Sequence, residues 1–362
     1  MESKRSIYSL TLQDLQEWFS GHGAPRYRAA QVAQWLYRKR VEDFSEMSDL
    51  SAEFRSALAS EFDFGALKFQ QKTGSEDTTQ KYLFELRDNN FIESVLIPAS
   101  PALYGSASDR KTICVSTQVG CAYGCKFCAS GLDGWARNLN AGEIVSQILK
   151  VEFLSGEKIN NIVFMGMGEP LANYENLVRA VEIINAPWGV GIGARHITVS
   201  TSGLAPKIRD LANQPLQIRL AISLHGATDE IREVIMPVNK RFNVGTLMEA
   251  CEYYREKKRQ RITFEYILID HVNDGLDQAF ELGKLARKLE AKVNLIPYNN
   301  VDGLDWKRPS ETRQDLFYKT LRRAGVDATI RREKGHDINA ACGQLRRRTL
   351  QDKSFAATEN LR

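Results

Sequence analysis

Apolar and polar positions follow two alternating periods over most of the chain, from Ile113 onward. Short apolar stretches typical of strands are separated by longer stretches with helical spacing, as in AGEIVSQILKVEFL, where Ile144, Ile148 and Val151 share one face. This alternation predicts parallel strands joined by crossover helices, and hence an α/β fold built as a barrel or a doubly wound sheet. The predicted strands lie in ICVST, NIVFMG, HITVSTSG, IRLAISLH, ITFEYILI, KVNLIPY and DATIRR.

The first part of the chain has helical spacing, which places Leu12, Leu15 and Phe19 on one helix face. Basic residues flank a second helical stretch, and we expect them either to form a solvated face or to contact phosphates. They are Arg26, Arg28, Arg38, Lys39 and Arg40.

The segment QKYLFELRDNNFIESVLIP predicts a hairpin, because Tyr82, Phe84 and Leu86 alternate and Asp88-Asn89-Asn90 supplies a turn. We therefore divide the chain into four parts. These are a small N-terminal helical accessory domain (1–65), a hairpin with a connecting loop (66–106), an α/β core (107–345) and a basic C-terminal tail (346–362).

Composition narrows the class of protein only a little. The chain has 362 residues, 43% of them hydrophobic, and a net charge of +4. This mild basic excess permits an RNA partner without requiring one. No apolar run reaches the length of a membrane span, and the N-terminus has no signal-peptide core. We therefore expect a cytoplasmic protein whose cysteines stay reduced.

Four of the six cysteines lie within CVSTQVGCAYGCKFC. Cys121, Cys125 and Cys128 have the spacing C-x3-C-x2-C, and no fourth cysteine follows closely. Structural zinc and ferredoxin clusters both use four protein ligands. Three thiolates instead fit three irons of a 4Fe-4S cluster and leave the fourth iron open to S-adenosylmethionine. This is the radical-SAM signature; zinc and unrelated buried cysteines are the alternatives.

The polar ends of the predicted strands offer groups for S-adenosylmethionine. FMGMGEP has glycines where the methionine part would approach the backbone, and Glu169 would accept from its ammonium group. Later strand ends supply hydroxyl, imidazole and amide groups for carboxylate, ribose and adenine, although each alone is more often structural. Phe127 would shield the cluster. The predicted S-adenosylmethionine residues are Gly168, Glu169, Ser200, Ser223, Leu224, His225 and Asn299.

Three cysteines lie outside the cluster motif. Cys114 precedes the first ligand by seven residues, at the end of a predicted strand. Cys342 lies far along the chain in DINAACGQLR, among small residues, and an inert role is its alternative. Cys251 is expected to be a buried core residue.

Together these stretches resemble the RlmN/Cfr family of radical-SAM RNA methyltransferases. The matching segments include IESVLIP, CVSTQVGCAYGCKFC, FMGMGEPLANYENLVRA, GARHITVSTSGL, LAISLH, VNLIPYN and DINAACGQL, and they resemble the RlmN branch more than the Cfr branch. The resemblance implies a radical-SAM partial (β/α)6-type barrel. It also implies that the N-terminal helices form an RNA-binding accessory domain.

The resemblance further implies a mechanism that uses two molecules of S-adenosylmethionine per turnover. The first methylates the thiol of Cys342, and the second yields a 5′-deoxyadenosyl radical that takes hydrogen from this S-methyl group. The methylene radical adds to an adenine carbon. Cys114 then attacks Cys342, which forms a transient disulfide and releases methylated RNA.

Two further residues receive roles from the resemblance. Glu93 matches the family's proton acceptor. The Cys114 thiolate is the competing candidate for this role, and the alternative for Glu93 is a carboxylate on the surface of a strand without a catalytic role. Met165 would position the radical or the S-methyl group, or simply pack.

The RlmN branch methylates carbon 2 of an adenosine in the peptidyl-transferase centre of 23S rRNA and the adenosine 3′ of the anticodon in some tRNAs. We expect methylation of the same carbon in the same RNAs here. One alternative is Cfr-like methylation of carbon 8, and a non-enzymatic alternative is a zinc-stabilised RNA-binding protein. The expected partners are protein-poor 23S rRNA, tRNA and an electron donor such as flavodoxin, with no membrane and a monomeric chain. Basic residues of the tail would hold phosphates: Arg346, Arg347 and Arg348.

Some positions depart from the family pattern, namely Ser130, Trp135 and Asn339, and the loop between Pro98 and Cys114 is longer than expected. These departures remove no catalytic group. They bear on the fit of the RNA substrate.

Overall fold

The computed structural model describes residues 4–65, 67–75, 78–99, 108–132, 134–299 and 304–330, together with Thr349. In these ranges the chain forms a helical N-terminal unit and a long mixed sheet with crossover helices. None of the helices described combines the length and apolar character that a bilayer crossing requires.

The N-terminal unit consists of β1 (Arg5–Ser6), α1 (Leu12–Gly21), α2 (Arg28–Gln34, continued by a π-helical turn Trp35–Lys39), α3 (Ala52–Glu61) and β2 (Phe62–Asp63), with β1 and β2 paired in parallel. A capping box begins α1, because the Thr11 hydroxyl accepts from the Asp14 N–H while the Asp14 carboxylate accepts from the Thr11 N–H. Leu15 and Phe19 are fully buried. The predicted helical character of this segment is confirmed.

A ten-stranded sheet forms the rest of the framework. In spatial order its strands are β14 (Asp327–Ile330), β13 (Lys292–Pro297), β12 (Thr263–Leu268), β11 (Arg219–Ser223), β10 (Ile197–Thr201), β9 (Asn161–Phe164), β6 (Lys111–Cys114), β5 (Phe91–Pro98), β4 (Gln80–Glu85) and β3 (Lys68–Gly74). The strands from β6 to β14 run parallel, whereas β3 to β6 are antiparallel. Within the described residues β3 and β14 remain open edges, so the sheet is a partial barrel.

The predicted parallel strands and the hairpin of β4 and β5 are confirmed, and Asn89 turns the hairpin with a φ of 59°. The strand β3 was not predicted, because KFQQKTG is a polar, mostly exposed edge strand without apolar alternation. A second small sheet was also missed. It pairs β7 (Gln118–Gly120) with β8 (Trp135–Asn138) in antiparallel fashion, and both strands are too short to show a period.

The remaining helices are α4 (Ala129–Leu132), α5 (Ala141–Ser155), α6 (Tyr174–Asn185), α7 (Ala205–Ala212), α8 (Asp229–Ile235), α9 (Val244–Lys258), α10 (Leu276–Lys288) and α11 (Glu311–Arg323). The predicted apolar face of α5 is confirmed, since Ile144, Ile148 and Val151 are fully buried. Its ends follow from local chemistry: Asn140 and Glu143 form a capping box, and Gly156 ends the helix with a φ of 70°.

Polar contacts dock the N-terminal unit onto α5 and α6. The Gly142 N–H donates to Ser9 Oγ over 3.0 Å, and Arg179 pairs with Asp14. Arg40 pairs with Glu152, and Arg38 donates to the carbonyls of Pro187 and Val190. Arg38 and Arg40 therefore bind the chain itself, which neither interpretation of the basic residues foresaw.

Candidate active site

The loop between β7 and β8 holds Cys121, Cys125 and Cys128, and backbone contacts fix its shape. Gly120 has a φ of 74°, and a Cβ there would lie 2.0 Å from the carbonyl oxygen of Gly134. The Cys121 N–H donates to that same carbonyl over 2.9 Å. The Cys128 N–H donates to Cys125 O. Only glycine therefore lets the first cysteine follow its strand so closely.

The three cysteines face a cavity of about 300 Å³ at the carboxyl ends of the parallel strands, where α/β barrels place their ligands. The structure brings most of the predicted site residues together around it. Those that line the cavity are Cys121, Cys125, Phe127, Cys128, Met165, Gly168, Glu169, Ser200, Ser223, His225 and Asn299. Leu224 is fully buried and does not line it. Cys342 and Asn339, like Arg346, Arg347 and Arg348 of the basic tail, lie outside the described residues.

The thiols have the chemistry that a cluster needs. Burial raises the pKa of Cys121 to about 12, and burial likewise raises the pKa of Cys125 and of Cys128. The low-dielectric site thus favours neutral thiols until a cation stabilises the thiolates. Among the described residues, no group of His, Cys, Asp or Glu side chains converges on a single ion. An iron–sulfur cluster does not require such convergence, because each thiolate binds its own iron.

Glycines bring the FMGMGEP segment against the backbone of residues 115–118. A Cβ at Gly166 would lie 2.7 Å from Ser116 N, and one at Gly168, whose φ is 98°, would lie 2.5 Å from Gln118 Cβ. Glu169 follows this close approach. Its carboxylate accepts from the Leu171 N–H over 3.0 Å and from the Ser202 N–H over 2.7 Å. Burial raises the pKa of Glu169, and these N–H donors oppose the rise.

His225 is held as a neutral hydrogen-bond donor. Its backbone has a φ of 56°, and its Nδ1 accepts from the Ile267 N–H over 3.0 Å, so the ring proton is on Nε2. Burial, with a contribution from the Arg232 charge, lowers the pKa of His225 to about 3. Phe127 meets its ring edge-on, with centroids 4.6 Å apart.

Arg232 is a site-supporting residue that the sequence analysis missed. It is fully buried, and its guanidinium donates to Ser202 O, Leu224 O and the side chain of Asn239. It therefore ties the ends of β10 and β11 together. Its segment IREVIMP has no signal that distinguishes this arginine from a surface charge on a helix. Glu265, which lines the cavity and accepts from the Asn294 side chain, was missed as well.

The strand register places Glu93 and Cys114 on the barrel face that holds the cofactor residues. Val95 pairs with Cys114, and Cys114 pairs with Val163. Paired residues, and residues two apart, share a face of a sheet. Val163 in turn pairs with Thr198 of β10, two residues before Ser200, so Glu93 and Cys114 are on the same face as Ser200. Glu93 is 2% exposed and pairs with Lys81, so the surface-carboxylate alternative is wrong.

Comparisons with known proteins agree with this geometry. Residues 115–283 match the family model of the radical SAM superfamily, and residues 6–63 match that of the ribosomal RNA large subunit methyltransferase N-terminal domain. A protein of Akkermansia muciniphila named "Probable dual-specificity RNA methyltransferase RlmN" is 52% identical over 96% of this chain and 97% of its own length. The chain belongs to the RlmN family of radical-SAM RNA methyltransferases.

Two further relatives agree with this membership. An RlmN protein of Staphylococcus carnosus is 48% identical over 96% of this chain and 94% of its own length. The crystal structure of a radical SAM methyltransferase from Sphaerobacter thermophilus superposes with a TM-score of 0.87 at 44% identity, over 94% of this chain and 98% of that one. The predicted fold class and enzyme class are thereby confirmed. Membership of this superfamily also implies an iron–sulfur cluster and S-adenosylmethionine.

Proposed function

We propose that this enzyme methylates carbon 2 of an adenosine in the peptidyl-transferase centre of 23S rRNA and the adenosine 3′ of the anticodon in some tRNAs, through an S-methylcysteine at Cys342. The motifs of the RlmN branch support the choice of carbon 2. The names of the relatives, which describe dual-specificity RNA methyltransferases, support two classes of RNA.

Cys121, Cys125 and Cys128 would each bind one iron of a 4Fe-4S cluster. When bound, this cluster and S-adenosylmethionine supply a one-electron cleavage that yields a primary carbon radical. Glu169, fixed by two backbone N–H donors, accepts from the ammonium group of S-adenosylmethionine. The Nε2–H of His225 is a donor for the ligand in the same cavity. Gly168, Ser200, Ser223 and Asn299, which line the same cavity, complete the proposed binding set, whereas Leu224 is buried outside its lining and is left out of the set.

The observation that supports this proposal most directly is the shared face of Glu93 and Cys114 with the cofactor residues. An adenine ring carbon is electrophilic, so transfer of a methyl cation to it fails and a carbon radical on the Cys342 methyl group is needed. Glu93 accepts the proton that leaves the adenine carbon. The Cys114 thiolate attacks the Cys342 sulfur, and the bond between that sulfur and the methylene carbon breaks. Its electron pair passes to the methylene carbon, which takes up a proton to become the methyl group, and a disulfide is left on the enzyme.

The substrate and partners follow from this chemistry. The adenine must leave its stack to enter the cavity, which costs a few kcal/mol, roughly. Protein-poor 23S rRNA, in which the target is accessible, is therefore the favoured form. A flavodoxin-type protein supplies electrons, and the chain acts as a monomer.

The test is anaerobic turnover with reductant, S-adenosylmethionine and 23S rRNA or tRNA that lacks the modification, followed by mass spectrometry of nucleosides. We expect 2-methyladenosine from both RNAs. We expect none from Cys342→Ala, whose cluster still assembles. Cys251→Ala is the matched control, since Cys251 is buried in α9 and should leave methylation intact.

Each other outcome has a defined meaning. Full activity of Cys342→Ala contradicts the S-methylcysteine route. The product 8-methyladenosine moves the enzyme to Cfr-like chemistry with the same mechanism. An intact cluster that cleaves S-adenosylmethionine but methylates neither RNA contradicts the proposed substrates.

A further inference from the structure

Lys81 and Glu93 form an ion pair on the inner face of the sheet. Lys81 Nζ lies 2.9 Å from Glu93 Oε2, and the two side chains are 0% and 2% exposed. Burial of two charges costs roughly several kcal/mol of solvation free energy per ion, which the attraction between the charges must offset. The proposed function uses Glu93 but gives Lys81 no role, so this lysine calls for an explanation.

The register places the pair beside the reacting groups. Lys81 on β4 and Cys114 on β6 both pair with Val95 of β5, from its two sides. Glu93 lies two residues before Val95 on the same face. Burial raises the pKa of the Cys128 thiol, hydrogen bonds oppose the rise, and the charge of Glu93 adds to it. The titratable groups around the Glu93 carboxylate thus include Lys81, Cys114 and Cys128, from three different elements.

Hydrogen bonds fix the backbone of Glu93 against the glycine segment. Ser116 Oγ donates to Glu93 O over 2.6 Å, and the Met167 N–H donates to Ser116 Oγ over 3.0 Å. These bonds do not hold the side-chain torsions of Glu93. The ammonium group of Lys81 lies within hydrogen-bond distance of one carboxylate oxygen of Glu93 and so restrains the direction of this side chain.

We propose that Lys81 is the positioning residue for Glu93, and that its ammonium group holds this carboxylate in the orientation in which it accepts the proton of the adenine carbon. The inference rests on the proposed function. In the step concerned, the carbon–hydrogen bond at the alkylated ring carbon of the radical adduct breaks, its proton passes to a Glu93 oxygen, and its electron pair stays with the ring. The unpaired electron of the adduct leaves to a one-electron acceptor, such as an oxidised iron–sulfur cluster, and the ring is aromatic again. Lys81 keeps its own protons throughout.

The experiment follows single turnovers of the holoenzyme on a 23S rRNA fragment that contains the target adenosine. It compares wild type with Lys81→Met, Lys81→Arg and Glu93→Gln. Release of methylated RNA, the covalent protein–RNA adduct on a denaturing gel and formation of 5′-deoxyadenosine are measured together. Lys81→Met and Glu93→Gln should both slow release by about 100-fold or more, the usual contribution of a general base. Both should accumulate the adduct, with 5′-deoxyadenosine formation and the RNA concentration that gives the half-maximal single-turnover rate unchanged.

Two controls separate positioning from folding. Lys81→Arg retains the charge and should restore most of the release rate. Lys258→Met removes another buried lysine, whose Nζ donates to the carbonyls of Gln214 and Leu216 away from the cavity, and should release product at the wild-type rate.

Lys81→Met leaves a buried carboxylate without this cation and is at risk of unfolding. The double variant Lys81→Met/Glu93→Gln has two neutral side chains and avoids that risk. If Lys81 acts only through Glu93, the double variant is as slow as Glu93→Gln and no slower. A further loss in the double variant overturns the inference.

The remaining outcomes distinguish this inference from the proposed function. Wild-type release by Lys81→Met, with Glu93→Gln stalled at the adduct, overturns the role of Lys81 and leaves the proposed function standing. If Glu93→Gln releases methylated RNA at the wild-type rate, Glu93 is not the proton acceptor, and the roles assigned to Glu93 and to Lys81 are both wrong. Slow release by Lys81→Met without adduct contradicts a role after crosslinking.

Discussion

Backbone groups hold three buried ionisable residues of the site, Glu169, His225 and Arg232. Glu169 accepts from N–H groups, whereas Arg232 donates to carbonyl groups at the ends of β10 and β11. His225 accepts from the Ile267 N–H. Because each group has backbone partners of the complementary kind, the cavity can hold polar side chains at low solvent access without losing its shape.

We predict an acid-sensitive contribution of His225 to stability. Its pKa falls from about 6.5 in the unfolded chain to about 3 in the folded one, so between these values the unfolded chain binds more protons. The stabilising contribution is complete above pH 6.5, roughly, and is lost as the pH falls, by about 1.4 kcal/mol per unit. Urea unfolding at neutral and mildly acidic pH should show that His225→Gln removes this dependence. His271→Gln, at an exposed histidine, should retain it, and equal pH slopes for wild type and His225→Gln would contradict the assignment.

At the scale of elements, the site depends on two loops that approach within van der Waals distance after β6 and β9. Gly166 N–H donates to Val115 O, and the N–H groups of Thr117 and Gln118 both donate to Met167 O. These bonds extend the pairing of β6 with β9 beyond the strands. Glycine is needed at Gly166 and Gly168 because a Cβ would enter the neighbouring segment.

Gly168→Ala should therefore destabilise the fold and weaken S-adenosylmethionine binding. Two effects add: the unfavourable φ of 98° and a Cβ only 2.5 Å from Gln118 Cβ. Gly23→Ala is the control, since Gly23 has a φ of 70° with nothing within 4 Å of its Cβ, and it should cost only about 1 to 2 kcal/mol. Thermal unfolding measures the stability of the two variants, and titration with S-adenosylmethionine measures their affinity for this ligand. An equal loss of stability in the two variants would rule out the steric part of the argument.

At the scale of the whole molecule, the N-terminal unit is joined to the core by polar contacts as well as by the chain. Ser9 meets the first turn of α5, Asp14 meets Arg179 of α6, and Arg40 meets Glu152. The accessory helices consequently have a defined orientation relative to the cavity. This arrangement suits an enzyme that methylates RNA.

Gly142→Val tests whether that docking matters. A Cβ at Gly142 would lie 2.6 Å from the hydroxyl oxygens of Ser6 and Ser9, so valine should loosen the N-terminal unit. We expect faster trypsin cleavage within α1 to α3 and weaker RNA binding, with the cluster intact.

Gly245→Val is the matched control for Gly142→Val. Gly245 is the second residue of α9, as Gly142 is of α5, but the nearest atom to its Cβ is Asn243 Oδ1 at 3.5 Å. Trypsin resistance and RNA affinity of the control should match wild type. Unchanged resistance in Gly142→Val itself would contradict the role assigned to the docking surface.

The alternation of strands and helices, the hairpin and the three-cysteine loop could all be predicted from the sequence. These features depend on local periods and spacings, which are complete within one short segment. It also indicated which strand ends hold polar groups, since parallel strands align their carboxyl ends at one edge. The polar edge strand β3 and the short strands β7 and β8 have no such period and were missed.

The contacts between side chains of distant segments became visible only in the folded chain. Three such contacts depend on pairings between distant segments. Glu93 is buried against Lys81, and Arg232 joins two strand ends. Arg38 and Arg40 bind other parts of the chain. The register of β4, β5 and β6 sets the face shared by Glu93 and Cys114. Such pairings are fixed by packing and cross-strand hydrogen bonds, which no local pattern encodes.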